Sequence, residues 1–207
     1  MKVILVNGSP DRHGCTATAL AEVAAALESE GIETEMFHIG GKPISGCLGC
    51  GRCNDSGRCF IDDCVNDFID RAASADGFVF GSPVYFASAN GAMTAFMDRV
   101  FYAAPREMFF MKPAAAVASA RRAGTTVTLD QLNKYFMITQ MPIVSSQYWN
   151  MVHGNTPDEV RQDLEGLQIM RTLGKNMAYM LRCLEAGRAA GVPLPAREAR
   201  VATNFIR

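Results

Sequence analysis

Short apolar runs alternate with longer amphipathic stretches along the chain. The first run, Lys2–Val6, is rich in β-branched residues and stops at turn residues, which predicts a buried strand. The next stretch repeats its apolar residues at helical spacing, at Ala17, Leu20, Ala21, Ala24 and Leu27. Four further strands are predicted in the same way, at Ile32–Ile39, Phe78–Phe80, Ala114–Ala118 and Pro142–Ser146. Strands and helices that alternate in this order predict an α/β fold with a doubly wound, five-stranded parallel sheet.

Two segments depart from this alternation. Residues 40–64 are rich in glycine and cysteine, so we expect a cysteine-rich loop inserted after the second strand. Apolar residues from Val160 onward predict a long C-terminal helix as an extension, with two glycines as candidate breaks. At 207 residues the chain fits one domain, which we place at residues 1–191, followed by a tail, 192–207, that we expect to form an interface.

Composition limits the function classes. The chain is 49% hydrophobic and 20% charged, with a formal net charge of -1, which is typical of a globular protein and excludes disordered and collagen-like chains. No apolar run reaches the length of a membrane span, and the N-terminus lacks the pattern of a signal peptide. We therefore expect a cytoplasmic protein whose partners are neither nucleic acids nor membranes.

The loop after the first strand carries groups that suit an anion. Ligands of doubly wound sheets bind outside the carboxyl ends of the strands, and this loop leads into a helix N-terminus. Hydroxyls, a guanidinium and backbone amides indicate a phosphate site, which we assign to Ser9, Arg12, Gly14, Cys15 and Thr16. Three rival motifs fail. Five residues separate the glycines where a Walker loop has four, G-x-G-x-x-G is absent, and Ala21 stands where a cysteine phosphatase needs arginine.

Two segments resemble the NADPH-dependent FMN reductases and related flavodoxin-like proteins. The first, Asn7–Thr16, is similar to their common form Gly-Ser-Pro-Arg-x-x-Gly-Asn-Thr, with Asp11 in place of Arg and Cys15 in place of Asn. The second, Asp76–Phe86, reads DGFVFGSPVYF and is the stronger match. The resemblance implies a flavodoxin-like fold that binds FMN and has NAD(P)H as a candidate electron donor. Arg12 then supplies the positive charge that Asp11 displaces.

The same resemblance assigns the residues around the flavin ring. The loop after the third strand wraps the ring with Pro83, Val84, Tyr85 and Phe86. A flat, amphipathic ring needs an apolar wall with a few fixed polar groups, and this loop supplies both. The loop after the fourth strand borders the flavin through Ser119, Arg121 and Gly124. The charge of Arg121 favours the anionic reduced ring. Because flavin N5 is the reacting atom, we expect no catalytic side chain.

Five of the 7 cysteines fall in the inserted loop, at Cys47, Cys50, Cys53, Cys59 and Cys64. Clustered thiols in a chain without an export signal favour a metal site over disulfides. The first four can point at one centre, and soft thiolates select an iron-sulfur cluster or zinc. Their spacing resembles the compact motif of the iron-sulfur flavoproteins, which implies that these four cysteines hold a [4Fe-4S] cluster. Cys64 is then a reserve or bystander thiol, and zinc and free thiols are the alternatives.

These assignments together predict an FMN-containing electron-transfer oxidoreductase. It passes electrons between FMN, the [4Fe-4S] cluster and an external carrier, which is either a redox partner protein or a small-molecule acceptor. The resemblance further implies a homodimer or homotetramer in which the cluster faces a neighbouring subunit's flavin. One alternative is a cluster-free NAD(P)H-dependent FMN or quinone reductase. An alternative of another class is a binding module that senses redox state through its thiols.

Two residues after the fifth predicted strand carry open assignments. Trp149 and His153 either line a substrate pocket over the flavin or serve as a core aromatic and a helix cap.

Overall fold

The central strand of the sheet is Gly77–Tyr85, which is paired with a parallel strand on each side. A computed structural model describes residues 1–199, 201–203 and 205. Its strands are β1 (Lys2–Asn7), β2 (Glu33–His38), β3 (Gly77–Tyr85), β4 (Ser88–Ala89), β5 (Ala114–Ala120) and β6 (Met151–His153). Five strands are parallel in the order β2-β1-β3-β5-β6, and the short β4 pairs antiparallel with the end of β3. The prediction of a doubly wound parallel α/β fold is confirmed.

Helices cover both faces of this sheet. They are α1 (Cys15–Ser29), α2 (Cys53–Ser56), α3 (Cys64–Ala72), α4 (Gly91–Ala103), α5 (Thr125–Ile138), α6 (Pro157–Gln162) and α7 (Leu164–Ala189). The core on one face joins the sheet to α3, α4 and α5, and the core on the other joins it to α1, α6 and α7. Among the described residues, no helix combines the length and the hydropathy that crossing a bilayer requires.

Side chains along each central strand point alternately to the two faces of the sheet, so each strand contributes to both hydrophobic cores. In β1, Ile4 and Val6 face the α3–α5 side, whereas Val3 and Leu5 face α1 and α7. A parallel strand covered on both faces therefore reads as a continuous apolar run, which is why the sequence pattern located it. On the α3–α5 side, Phe68 packs edge-to-face against Phe96, with ring centroids 5.2 Å apart.

The predicted fifth strand, Pro142–Ser146, is wrong. In this segment Ile143 makes only an isolated bridge to Ala114, and the strand that pairs with β5 is β6, where Met151 lies opposite Ala118. Met151 follows Ile143 by eight residues, whereas its partner Ala118 follows Ala114, the partner of Ile143, by only four. The extra residues leave the sheet as an exposed loop. An edge strand takes its register from a single neighbour, which the local sequence does not reveal.

Two further boundaries differ from the prediction. β3 does not stop at Phe80, because Ser82 and Pro83 still pair with β5, so sheet pairing overrides the turn tendency of the Gly-Ser-Pro sequence. The C-terminal helical pattern does break, but at Asp163, which separates α6 from α7 and caps α7 by accepting from the Gly166 N–H at 2.9 Å.

Gly174 lets α7 approach α1 closely. A Cβ built on Gly174 would lie 2.6 Å from the Ala26 Cβ and 2.8 Å from the Val23 carbonyl oxygen. The predicted break at this glycine is therefore a helix contact. Gly187, in the same helix, has nothing closer than 3.9 Å to such a Cβ, and that neighbour is Val192.

Gly174→Ala is expected to lower the free energy of unfolding by about 1–3 kcal/mol, because α7 must move away from α1. Gly187→Ala is the matched control and is expected to raise it by about 0.5–1 kcal/mol through helix propensity. Urea denaturation followed by circular dichroism measures both. Equal effects of the two substitutions would contradict a packing role for Gly174.

Candidate functional site

Three loops meet at the edge of the sheet where the parallel strands end. The loop after β1 is joined to β3 by a hydrogen bond from the Gly8 N–H to the Gly81 carbonyl, at 2.8 Å. It is joined to β5 by a 2.7 Å hydrogen bond between the hydroxyls of Thr16 and Ser119. The predicted phosphate and flavin residues therefore lie on one continuous site, as expected for ligands of doubly wound sheets.

The loop after β1 is held by its own side chains. The Asn7 Oδ1 accepts from the Ser9 N–H at 3.0 Å, and the Ser9 hydroxyl accepts from the Asp11 N–H at 3.1 Å. Asp11, which stands where the related proteins carry arginine, accepts from the His13 N–H at 2.9 Å. This carboxylate therefore shapes the turn, while the neighbouring Arg12 is exposed and carries the positive charge of the loop.

Helix α1 begins at this loop without a side-chain cap. Its N-cap residue is Gly14, and no side chain accepts a hydrogen bond there. The first amides of the helix, including those of Cys15 and Thr16, face the site with the positive end of the helix dipole, which suits a phosphate. The Cys15 thiol donates to the Gly154 carbonyl at 3.6 Å, and burial raises its pKa. Its sulfur is therefore a packing group, and a nucleophilic role is disfavoured.

The loop after β3 forms a tight hairpin into β4. Phe86 and Ala87 both have positive φ, 51° and 58°, a conformation that L residues adopt only when the surroundings impose it. Tyr85 is half exposed and Phe86 fully exposed, so this loop presents an aromatic surface. Gln131 of α5 holds the hairpin in place. Its Oε1 accepts from the Ser88 hydroxyl at 2.6 Å and from the Ala89 N–H at 3.1 Å.

Sequence reasoning missed both side chains that support this edge. Besides Gln131, the buried Asn90 donates from Nδ2 to the Gly8 carbonyl at 2.6 Å and accepts from the Met93 N–H at 2.9 Å. An asparagine directly before a helical pattern is a common N-cap, which was a usable signal for Asn90. Gln131 lies on an ordinary polar face of α5, so its long-range contact left no trace in the sequence.

The loop after β5 requires a glycine. Gly124 has a φ of 95°, and a Cβ there would lie 2.5 Å from the Ala87 Cα and 2.8 Å from the Val84 Cγ1. The close approach joins the second and third loops. Ser119 is buried against Thr16, whereas Arg121 is exposed at the rim.

The structure excludes the core-aromatic role of Trp149 and the helix-cap role of His153, and a place in a substrate pocket stays a prediction for both. Trp149 is 57% exposed, so it is not a core aromatic. It packs against Tyr148 with ring centroids 4.7 Å apart and lines a groove of about 280 Å³ beside α5. His153 ends β6, where its backbone N–H donates to Asp163 at 2.7 Å. The cap of α7 is Asp163 itself, so His153 is not the helix cap.

The four predicted metal ligands line one cavity. Cys47 and Cys50 are exposed on irregular backbone, Cys53 is buried at the start of the single turn α2, and Cys59 is half buried. Arg99 and Tyr102 of α4, with apolar residues of the loop, complete the cavity wall. Positive φ angles at Gly49, Gly51 and Gly57 allow the sharp turns between the thiols.

The thiols of this cavity interact electrostatically. The pKa of Cys53 is raised by burial and by the negative charges that Cys50, Cys59 and Cys47 carry when ionised. A positively charged metal centre would relieve that repulsion, because bound thiolates share their charge with the metal. Within residues 1–199, 201–203 and 205, no group of three His, Cys, Asp or Glu side chains is gathered as a preformed site for one metal ion.

The cysteine loop begins beside the phosphate loop. A Cβ on Gly40 would lie 1.9 Å from the Ser9 carbonyl oxygen, so the chain leaves β2 in direct contact with the loop after β1. The His38 Nε2 hydrogen-bonds to the same oxygen at 2.9 Å. The cysteine loop therefore starts at the sheet edge that carries the phosphate loop.

Cys64 lies outside the cysteine cavity, at the first position of α3. Burial and the neighbouring Asp63 carboxylate raise its pKa to about 11. The thiol is therefore protonated at neutral pH in the metal-free protein, and its place outside the cavity fits a bystander.

In metal-free protein at pH 8, iodoacetamide is expected to alkylate Cys64 at least tenfold more slowly than the exposed Cys183, because only the thiolate reacts. The Cys64 rate should still be rising as the pH passes 10. Peptide mass spectrometry of timed samples measures both rates. Equal rates at pH 8 would show that the Cys64 thiol is not shielded as the structure indicates.

Comparisons with known proteins identify the family of the chain. The family model described as NADPH-dependent FMN reductase matches residues 1–156. An iron-sulfur flavoprotein of Methanocaldococcus jannaschii is 32% identical over 195 residues, covering 89% of this chain and 100% of that protein. An iron-sulfur flavoprotein of Archaeoglobus fulgidus is 29% identical, covering 88% of this chain and 98% of that protein.

A solved structure supports the fold separately. The flavodoxin, WrbA-like protein from Agrobacterium tumefaciens superposes with a TM-score of 0.62 at 17% identity, covering 88% of this chain and 98% of that one. At that identity the likeness concerns the flavodoxin-like fold alone. The family match and the sequence relatives go further: the chain belongs to the NADPH-dependent FMN reductase family, where it stands with the iron-sulfur flavoproteins as an FMN-dependent oxidoreductase.

Proposed function

We propose that the protein transfers electrons between FMN, a [4Fe-4S] cluster held by Cys47, Cys50, Cys53 and Cys59, and an external carrier. The observation that carries the proposal is the cavity lined by all four thiols, on a loop that starts against the phosphate loop at Gly40. The relatives named iron-sulfur flavoprotein support it, since they match this chain over nearly its whole length.

The residues of the first loop bind the phosphate of FMN in this proposal. The uncapped amides of α1 donate to the phosphate oxygens, and Arg12 adds positive charge from the rim. Thr16 shapes the loop around the anion through its hydrogen bond to Ser119. The Ser9 hydroxyl accepts from the Asp11 N–H and keeps its own proton to donate to the phosphate.

The second and third loops hold the ring of FMN. Pro83 and Val84 provide apolar wall, while the exposed Tyr85 and Phe86 extend it at the rim. Arg121 brings a positive charge that favours the anionic reduced ring. FMN supplies the redox chemistry, and the side chains only bind, orient and tune it, so no catalytic acid or base is assigned.

The cysteine loop supplies a ligand set that fits a cluster. Four thiols surround one cavity, and thiolate is the ligand type that iron-sulfur clusters require. A bound cluster would exchange single electrons, whereas FMN accepts either one electron or a pair. NAD(P)H or a reduced carrier protein is the proposed donor.

Anaerobically purified protein is expected to contain iron, acid-labile sulfide and FMN. Cys59→Ser should lower iron and sulfide content at least threefold while FMN stays bound, because the FMN loops do not include Cys59. Cys183→Ser, on the exposed face of α7, is the matched control and should change neither. Colorimetric iron and sulfide assays and the absorption spectrum measure these quantities.

The alternatives predict different results from the same samples. FMN without iron and sulfide, together with NADPH oxidation, would establish the cluster-free reductase. Protein that binds no FMN and whose activity follows cysteine oxidation would establish the thiol sensor. A protein that holds zinc in place of iron would also overturn the proposal.

We also propose that the protein assembles as a homodimer or homotetramer through its tail, with the cluster of one subunit facing a neighbour's flavin. The part of the tail that the structure describes exposes large apolar side chains, namely Val192, Leu194, Val201 and Phe205. Such side chains support an interface. Arg197 anchors the tail to the body through an ion pair with Glu107 at 2.7 Å. Part of the predicted tail, at residues 200, 204, 206 and 207, lies outside the described residues.

Removal of residues 192–207 is expected to lower the assembly state, because the exposed apolar side chains of the tail are lost. Light scattering coupled to size-exclusion chromatography measures the mass of both forms. The double substitution Val201→Ser and Phe205→Ser should have the same effect with the tail in place. A full-length monomer, or a truncated form of unchanged mass, would contradict the proposal.

A further inference from the structure

One buried cation stands beside the cysteine cavity. Arg99 of α4 is 1% exposed, although arginine is almost never fully buried without a partner. Its neighbours in α4 face the hydrophobic core, whereas its guanidinium reaches the cysteine loop. A buried charge must be fully hydrogen-bonded to be tolerated, so the partners of this guanidinium show what it holds.

All five N–H groups of the guanidinium have partners in the cysteine loop or at its end. Nη1 and Nη2 donate to the two carboxylate oxygens of Asp63, at 2.6 and 2.9 Å. Nη2 also donates to the Ile61 carbonyl at 2.8 Å, and Nη1 to the Ser45 carbonyl at 3.4 Å. The fifth donor, Nε, points at the Cys59 sulfur, 3.2 Å away. Four contacts therefore fix the direction of the fifth.

Cys59 is also held from its other side. The Asn66 Oδ1 accepts from the Cys59 N–H at 2.8 Å, and the Asn66 Nδ2 donates to the Cys59 carbonyl at 3.0 Å. The backbone of this cysteine is thus clamped by α3, while its sulfur receives a charged donor from α4. The ion pair with Asp63 uses only Nη1 and Nη2, so the contact between Nε and the Cys59 sulfur is a separate interaction.

We propose that Arg99 is a positioning residue that raises the reduction potential of the cluster through its hydrogen bond to Cys59. The inference rests on the proposed function, in which Cys59 is a cluster ligand. Reduction adds one electron to the cluster and increases the negative charge on its ligand sulfurs. A buried N–H donor and a positive charge beside that sulfur stabilise the reduced form more than the oxidised form.

Asp63 opposes this effect. Its carboxylate lies against the same guanidinium and is 28% exposed, so it partly neutralises the charge that acts on Cys59. Asp63 also caps α3 by accepting from the Val65 N–H at 3.0 Å. Asparagine caps a helix as well as aspartate, and its remaining oxygen can accept from both the Val65 N–H and Nη2 of Arg99, so Asp63→Asn removes the negative charge and the Nη1 contact but leaves the cap and the Nη2 contact. The proposal therefore requires Arg99 and Asp63 substitutions to move the potential in opposite directions.

The test is a mediated redox titration with dithionite as the electron donor, in which electron paramagnetic resonance follows the reduced cluster and absorbance follows FMN. Arg99→Met keeps an unbranched side chain as far as the position of Nε and removes both donor and charge. It is expected to lower the equilibrium constant for one-electron reduction of the cluster at least tenfold, a shift of about 59 mV to more negative potential. Arg99→Lys should shift the potential less in the same direction, and Asp63→Asn should shift it to more positive potential.

Arg58→Met is the matched control. Arg58 directly precedes Cys59, but its side chain is exposed and pairs with Asp70, so water and salt screen its charge. This variant should move the cluster potential by less than a third of the Arg99→Met shift. The FMN potential and FMN content should stay unchanged in all variants, which also shows that each one folds.

The outcomes test the proposed function and the role of Arg99 separately. Wild-type protein without iron and sulfide overturns the proposed function. With the cluster present, an unchanged potential in the Arg99 variants overturns the role of Arg99. The role of Arg99 is also overturned if Asp63→Asn shifts the potential in the same direction as Arg99→Met. An Arg58→Met shift as large as that of Arg99→Met overturns it as well, because neither result follows from the hydrogen bond to Cys59. If Arg99→Met holds too little cluster to titrate, the signs of the Arg99→Lys and Asp63→Asn shifts decide.

Discussion

Parallel pairing of β1 with β3, and of β3 with β5, is the constraint on which the rest of the structure depends. It brings the carboxyl ends of three strands to one edge, so the loops that follow Asn7, Tyr85 and Ala120 must meet there. Glycine allows close packing near this edge. A Cβ on Gly81 would lie 2.8 Å from Leu20, so α1 packs directly on the end of β3 and its N-terminus opens into the site. The position of the uncapped amides of α1 is therefore a consequence of sheet register.

The sequence predicted those parts of the fold that are decided locally. The central strands are buried on both faces, so their apolar runs were visible without knowledge of their partners. The same reasoning failed for Pro142–Ser146, because an apolar run at the sheet edge can lie beside β5 in more than one register, and burial of Met151 and Val152 selects the later segment. The cysteines were found by their spacing, and the phosphate loop by its glycines and hydroxyls.

The residues that sequence reasoning missed are polar side chains whose partners lie far away in the chain. Gln131 contacts a hairpin some forty residues earlier, and Arg99 contacts four residues in the cysteine loop or at its end. In the sequence each occupies a polar position of an amphipathic helix, which is ordinarily a solvent-facing position. Only the fold shows that Arg99 is buried and that all of its N–H groups have hydrogen-bond partners. Such a set specifies one loop conformation, since a partly satisfied one would leave a buried charge unpaired.

These polar contacts explain how an irregular loop is added to an unaltered flavodoxin-like frame. The loop has almost no regular structure between Gly40 and Asp63, and its fixed points lie at its two ends. At the first end, Gly40 leaves no room for a side chain against the Ser9 carbonyl; at the second, Asn66 and Arg99 hold Cys59 from two helices of the core. Both ends are attached to elements that the sheet already positions, so the loop presents its cysteines between fixed points. The loops proposed to bind FMN take their shape from other hydrogen bonds, so they and the cysteine cavity share no side chain.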